Sequence, residues 1–348
     1  MRGTKVGNSL SLPDPQGVDL LKLLAPIRAE LGQVEAMLAQ QVSGFEPGIR
    51  RQIQYLLAGS GKRLRPALAL LAGGVTGRIE DRHVTIGVIV ELIHLATLVH
   101  DDVLDEADLR HGQPTANARW GNEISVLLGD CLFARALHLT ANYSTTDICR
   151  RVSEATNIVC TGEILQTQHR FDLDLTLEQY LDIINKKTGA LFAVSCELGA
   201  LLNAAPGPVV KQIRNFGSNL GIAYQIYDDC LDIFGQERQA GKSLGTDVKK
   251  GKLTLPFLLL LQHAGAERRR ELGGVIFHGA PAARQKLLRL ALSNGAMTDS
   301  LLTIDRYVAR AEANLAGIPA NSFTQALSTL LGLIAGKSRA LLQEGVAA

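Results

Sequence analysis

Apolar residues return every three or four positions along almost the whole chain, the spacing that gives a helix one buried face. The periodicity predicts helices over 19–42, 63–75, 80–105, 121–142, 147–170, 177–202 and 208–234, with several more after 254. Extended alternating runs are absent, so the expected fold is all-α. Breaks are expected at Gly73-Gly74, at 112–114, at Pro206 to Pro208, in the Gly/Lys loop 235–252 and at Pro281. None is long enough to link separate domains. One domain over 18–348, behind a flexible tail over 1–17, is therefore expected.

At 348 residues with 46% hydrophobic content, the chain can bury a large core. A formal net charge of +2, with Lys and Arg dispersed, gives no electrostatic footprint for nucleic acid, so acidic ligands must be met by local clusters. Five cysteines, at 131, 149, 160, 196 and 230, form no C-x-x-C pair, and no signal-peptide pattern is seen. Free thiols in a cytoplasmic protein are expected. The most apolar stretch, 84–99, is shorter than a membrane span and carries Glu91 and His94, so no transmembrane segment is expected.

Two acidic runs interrupt the apolar pattern, HDDVLDE at 100–106 and YDDCLDI at 227–233, both containing DD-x-L-D. Positions i, i+1 and i+4 of a helix fall within an arc of roughly 100°. Asp101, Asp102 and Asp105 thus share one face, as do Asp228, Asp229 and Asp232. A single triplet would read as a solvated helix end, but two with the same spacing, each after apolar helix, point to a built site. Were they to face each other, two charges about 4 Å apart would cost about 4 kcal/mol at an effective dielectric near 20, so cations would have to sit between them. Oxygen-only ligands suit hard ions, and Mg²⁺ held by carboxylates is usually shared with phosphate oxygens. A phosphate ester, and a diphosphate in particular, is the ligand this chemistry implies.

Basic elements accompany the acids. AGSGKRLRPAL at 58–68 lacks the first glycine and the Ser/Thr of a nucleotide-binding loop, but it places Lys62 and Arg65 at a helix start, where backbone N–H groups and two cations would hold a phosphate. Arg110 and His111 follow the first triplet, and a Gly/Lys loop with Lys242, Asp247 and Lys252 follows the second.

Together these segments resemble the trans-isoprenyl diphosphate synthases, or polyprenyl synthetases. The likeness runs through GKRLRP at 61–66, ELIHLATLVHDDVLDEADLR at 91–110, KKTG at 186–189, YQIYDDCLDIFG at 224–235, GKSLGTD and KLTLP. It implies a helical bundle of the isoprenoid-synthase type around a deep central cavity, and a homodimer. It also implies the two substrates, isopentenyl diphosphate and an allylic diphosphate. On this resemblance the six aspartates hold three Mg²⁺ ions on the allylic diphosphate. Lys62, Arg65 and His94 match the isopentenyl diphosphate site and Arg110 the allylic diphosphate contact, while His111 stands at a position where the family contacts isopentenyl diphosphate through another residue. Lys187, Thr188, Gln225, Lys242 and Lys252 match positions that touch the allylic substrate. The product would leave with peripheral contact to a membrane.

The residue types suit such a reaction. Breaking an allylic C–O bond develops negative charge on diphosphate, which metals and Lys/Arg stabilise in a water-poor site. Thr188 and Gln225 can offer oxygen dipoles to the allylic cation, and family chemistry gives the closing proton loss to the released diphosphate. Where the family usually has a second arginine after Arg110, this chain has His111, which cannot make a two-pronged guanidinium contact. Weaker binding of isopentenyl diphosphate at neutral pH is expected.

One helical turn, about 5.4 Å, is close to one isoprene unit. The resemblance makes bulk before Asp101 a ruler, and the position where short-chain enzymes carry a blocking aromatic is Ala96, with Thr97 beside it. A product longer than geranylgeranyl is expected, with Leu92, Ile93 or Ile89 as a deeper floor. Three alternatives stay open: a short-chain farnesyl or geranylgeranyl diphosphate synthase, an HD-type metal phosphohydrolase suggested by His100-Asp101, and a non-catalytic partner subunit of a heteromeric synthase. The HD reading leaves the second triplet without an account, and the intact triplets argue against a scaffold.

Overall fold

The computed structural model describes residues 23–58, 61–110, 112–235, 245–278 and 281–347. Backbone contacts gather them into two compact units, each assembled from several stretches of chain. The first takes the chain up to Asn142 with Leu198–Ala205 and Pro319–Thr329. The second takes Tyr143–Glu197, Pro206–Ile318 and Leu330 onward.

In the first unit lie helices α1 (Arg28–Gln41), α2 (Arg50–Leu57), α3 (Leu64–Thr76) and α4 (Asp81–Leu104). A two-residue hairpin follows, β1 (Leu109–Arg110) with β2 (Gln113–Pro114), and then α5 (Ala116–Trp120) and α6 (Asn122–Thr140). The hairpin is antiparallel, pairing Leu109 with Pro114 and Arg110 with Gln113. α4 packs on α1, α3 and α6. Its start is fixed where the Glu80 N–H donates to His83 Nδ1 at 3.0 Å, closing donors that a helix N-terminus leaves open. α3 is buried from Pro66 to Val75, so it is apolar on every side.

The Gly73-Gly74 pair corrects a sequence expectation. It lies inside α3 and does not break it. A side chain at Gly73 would begin 2.5 Å from the His83 ring, and one at Gly74 would run into Phe323. These glycines permit close approach, not a turn.

The second unit holds α7 (Asp147–Gln168), α8 (Leu177–Ile184) and a π-helical turn, Asn185–Gly189, that leads into α9 (Ala190–Leu202). The chain continues through α10 (Gly207–Phe234), α11 (Thr246–Lys249), α12 (Leu255–Gln262), α13 (Ala266–His278), α14 (Pro281–Ser293), α15 (Ala296–Leu315) and α16 (Ser322–Ala347). The ends of α9 and α16 are counted across both units. α8 opens with a capping box, Thr176 Oγ1 accepting from the Gln179 N–H and Gln179 Oε1 from the Thr176 N–H. α10 pairs with α15, and the π-helical turn packs between α7 and α10. The all-α expectation holds, the short hairpin being the one extended element among the described residues.

Among these residues, α4 is the one helix long and apolar enough to cross a membrane, and 67% of its most apolar window is buried inside the fold. All five cysteines are free.

Candidate active site

The first acidic set closes α4. Asp101 and Asp102 lie in its last turn and Asp105 caps it, the Asp105 N–H donating to the Asp101 carbonyl at 2.8 Å. Asp102 is 5% exposed, and Arg110 reaches it from β1 with Nε at 3.0 Å and Nη2 at 2.7 Å from Oδ1. Burial raises the Asp102 carboxyl above its ordinary range, against the hydrogen bonds and charge of Arg110 and with the help of Asp101 and Asp105. For Arg110, burial opposes the charge but the three aspartates outweigh it, and the guanidinium is held more firmly protonated than usual.

The hairpin that carries Arg110 is itself tied down. Tyr55 on α2 donates to the Pro114 carbonyl at 2.6 Å, and Thr115 and Asn117 both donate to the Ala107 carbonyl. Arg119 stacks 4.3 Å above the Tyr55 ring. None of these residues stood out in the sequence, because their roles depend on contacts between distant segments.

The basic loop differs from expectation in one respect. α3 begins at Leu64, so Lys62 precedes the helix, Arg65 lies in its first turn, and Arg63 is the cap, with a left-handed backbone at φ 47°. Lys62 is exposed, Arg65 half-buried and Arg63 buried. His94 on α4 shares their field: burial, and then the charges of Arg65, Arg110 and Arg63, hold its imidazole well below its ordinary pKa, so it is neutral. The charges of Arg65, Arg110 and Arg63 thus all bear on His94.

The second acidic set ends α10. Asp229, 5% exposed, accepts from Tyr180 at 2.6 Å on Oδ2 and from Gln225 Nε2 at 2.8 Å on Oδ1. Gln225 Oε1 in turn accepts from Thr188 Oγ1 at 2.7 Å. Thr188, Gln225, Asp229 and Tyr180 therefore form one chain of side-chain hydrogen bonds. Burial, then the neighbouring charge of Asp247, pushes the Asp229 carboxyl up to about 7 against the donors Tyr180 and Gln225. The Tyr180 phenol is held well above its usual range by burial and by Asp229. Asp232 is almost wholly buried and accepts from the Gly245 N–H at 3.0 Å. Lys252, also buried, stands 3.7 Å from Asp247.

Lys187 donates to Glu163 at 2.8 Å and to Gln166 at 2.9 Å. It and Thr188 lie on the π-helical turn, a distortion common at functional sites. Gly162 makes room for that turn, since a side chain there would begin 2.6 Å from the Lys187 backbone nitrogen.

Tyr180 and Asp247 are the residues of this set that sequence reasoning did not select. Tyr180 sits in LEQYLDII, an ordinary amphipathic helix by pattern. Asp247 reads in the sequence only as part of the Gly/Lys loop. Leu92, Ile93, Ile89 and Ala96 are all buried on α4, and Thr97 bonds the His94 carbonyl at 2.7 Å. His100 turns to the Val126 carbonyl at 3.0 Å on α6. His111 and Lys242 lie outside the described residues. Among the described residues no three His, Cys, Asp or Glu side chains form a metal cage by themselves.

A family model described as polyprenyl synthetase matches residues 46–290. The octaprenyl diphosphate synthase of Escherichia coli is 36% identical over 260 residues, 72% of this chain and 80% of that protein. Heptaprenyl diphosphate synthase component 2 of Geobacillus stearothermophilus is 37% identical over 88% of this chain and 95% of its own length. Among solved structures, the polyprenyl synthase of Caulobacter crescentus, complexed with calcium and isoprenyl diphosphate, superposes with a TM-score of 0.85 at 33% identity, covering 90% of this chain and 96% of that one.

Proposed function

The chain belongs to the polyprenyl synthetase family, and we propose that it joins isopentenyl diphosphate to an allylic diphosphate, 1'-4 and head to tail. The product of this prenyltransferase is an all-trans polyprenyl diphosphate longer than geranylgeranyl. The observation that carries the reading is that each DD-x-L-D set is built around a buried, hydrogen-bonded carboxylate, Asp102 under Arg110 and Asp229 under Tyr180 and Gln225. Solvated helix ends would leave these groups in water. Octaprenyl and heptaprenyl relatives, together with a small residue at Ala96, favour the long product.

The donor set fits Mg²⁺. Asp101, Asp102 and Asp105, and Asp228, Asp229 and Asp232, offer hard oxygen ligands, and an ion completed by diphosphate takes only one or two carboxylates from the protein. Calcium and isoprenyl diphosphate in the Caulobacter structure support a divalent ion here, with three per site as the family resemblance implies. When bound, the ions supply Lewis-acid stabilisation of the leaving diphosphate. Arg110, Lys187, Lys242 and Lys252 add positive charge for the allylic diphosphate, while Lys62, Arg65, His94 and His111 receive isopentenyl diphosphate. Thr188 and Gln225 would offer oxygen dipoles to the allylic cation, and the hydrogen bond between them fixes both side chains. No nucleophilic side chain is required.

The HD-phosphohydrolase alternative fails on the family match and on His100, whose ring is directed to a backbone carbonyl. In this reading the enzyme is cytoplasmic and a homodimer, with peripheral membrane contact for product release. Exposed Ile124, Leu127 and Leu137 on α6 support self-association.

Incubation with labelled isopentenyl diphosphate and a series of allylic primers tests the proposal. Extension that requires Mg²⁺ and is mostly lost in Asp101→Ala and Asp228→Ala is expected. A chain whose presence supports synthesis equally well with either substitution is a scaffold, and would overturn it.

A further inference from the structure

In the sequence, GKRLRP is a single basic run, but the structure divides its three cations by environment. Lys62 is exposed and Arg65 half-buried, whereas Arg63 is 8% exposed. Its Nε donates to Glu35 Oε1 on α1 at 2.6 Å, its Nη1 to Glu91 Oε1 on α4 at 2.7 Å, and its Nη2 to the Leu57 carbonyl at the end of α2 at 3.2 Å. Three separate elements are thereby joined to one side chain.

We propose that Arg63 is a positioning residue, which fixes the loop presenting Lys62 and Arg65 to isopentenyl diphosphate and does not itself bind the phosphate. The proposal rests on the reading of Lys62 and Arg65 as diphosphate contacts. Four observations support it. The Arg63 backbone is left-handed (φ 47°, ψ 36°), a conformation that a residue with a side chain keeps only where its surroundings hold it. Glu91 is 2% exposed, and with Glu35 it sets two carboxylates against one guanidinium, which leaves no excess positive charge there for a phosphate. Glu91 also lies three residues before His94 on the same helix, so the anchor that holds the loop ties it to the helix that carries His94. The loop passes close over the clamp: a side chain at Gly61 would begin 3.1 Å from Arg63 Nη1.

Steady-state kinetics of Glu91→Gln, Glu35→Gln and Arg65→Ala test this. In Glu91→Gln the KM for isopentenyl diphosphate should rise about tenfold, with the allylic KM shifted less than about twofold and kcat less than about threefold. Glu35 is half-exposed, so Glu35→Gln should give a smaller rise of about threefold. If Glu91→Gln does not fold, Glu35→Gln decides the question. A raised KM in Arg65→Ala with no change in the glutamine variants overturns the positioning role alone. An equal loss for both substrates also overturns it, because general loosening would produce that. An unchanged KM in Arg65→Ala overturns the reading of the loop as a diphosphate site, and the positioning role falls with it.

Discussion

Arg110 holds Asp102 through both carboxylate oxygens, Nε standing 3.0 Å from Oδ1 and 3.2 Å from Oδ2. The most buried carboxylate of the first set is thus compensated by a cation that arrives on a hairpin, eight residues along the chain. Truncating Arg110 would leave the Asp102 charge poorly solvated.

Arg110→Lys should expose what this geometry contributes. An ammonium keeps the charge but loses the two-pronged contact, and the KM for the allylic diphosphate should rise about tenfold. Initial-rate kinetics against allylic primer would check it, and an unchanged KM would remove Arg110 from the allylic site.

Asp229→Asn makes a prediction about stability and pH. The native carboxyl has its pKa raised to about 7, so between the unfolded value and about 7 the folded chain binds more protons than the unfolded one. Stability contributed by this group is therefore greatest in acid and falls as pH rises to about 7. Asparagine removes that slope. In urea unfolding with chelator present, the variant should gain on the wild type between pH 5 and pH 8, by an amount on the order of a few kcal/mol. Parallel pH profiles would show that the buried carboxylate is not the cause.

Gly162→Ala should lower activity without touching substrate. The added methyl would meet the Lys187 backbone nitrogen at 2.6 Å, so the π-helical turn must shift, and with it Thr188 and its bond to Gln225. Overpacking of this kind costs about 1–3 kcal/mol. A lowered Tm together with a reduced kcat is expected, and a drop in Tm alone would mean that Thr188 does not depend on the turn.

The sequence and structure agree best where local signals suffice. α4 was expected over 80–105 and runs Asp81–Leu104, because its apolar period and its acidic end are both written in neighbouring residues. The two DD-x-L-D runs stand out in the sequence for the same reason. Gly73-Gly74 misled because a glycine that permits close packing reads like one that permits a turn. Arg63 was hidden among like charges, and its role emerges only when Glu35 and Glu91, each 28 residues away, are brought to it. Tyr180 was invisible because its partner Asp229 is 49 residues distant.

Ala96→Phe tests the ruler on α4. Ala96 is fully buried, so a phenyl ring there must displace neighbours or fill space meant for product. The product should shorten by one or more isoprene units, since each helical turn spans about one unit. Chromatography of the products would read this directly, and an unchanged length would take Ala96 out of chain-length control.

Long-chain prenyl transfer itself is open to direct measurement. Purified wild-type protein, given isopentenyl diphosphate, farnesyl diphosphate and Mg²⁺, should yield a polyprenyl diphosphate longer than geranylgeranyl when the dephosphorylated products are sized by chromatography. Geranylgeranyl diphosphate as the sole end product, or no extension of the primer, would contradict the account.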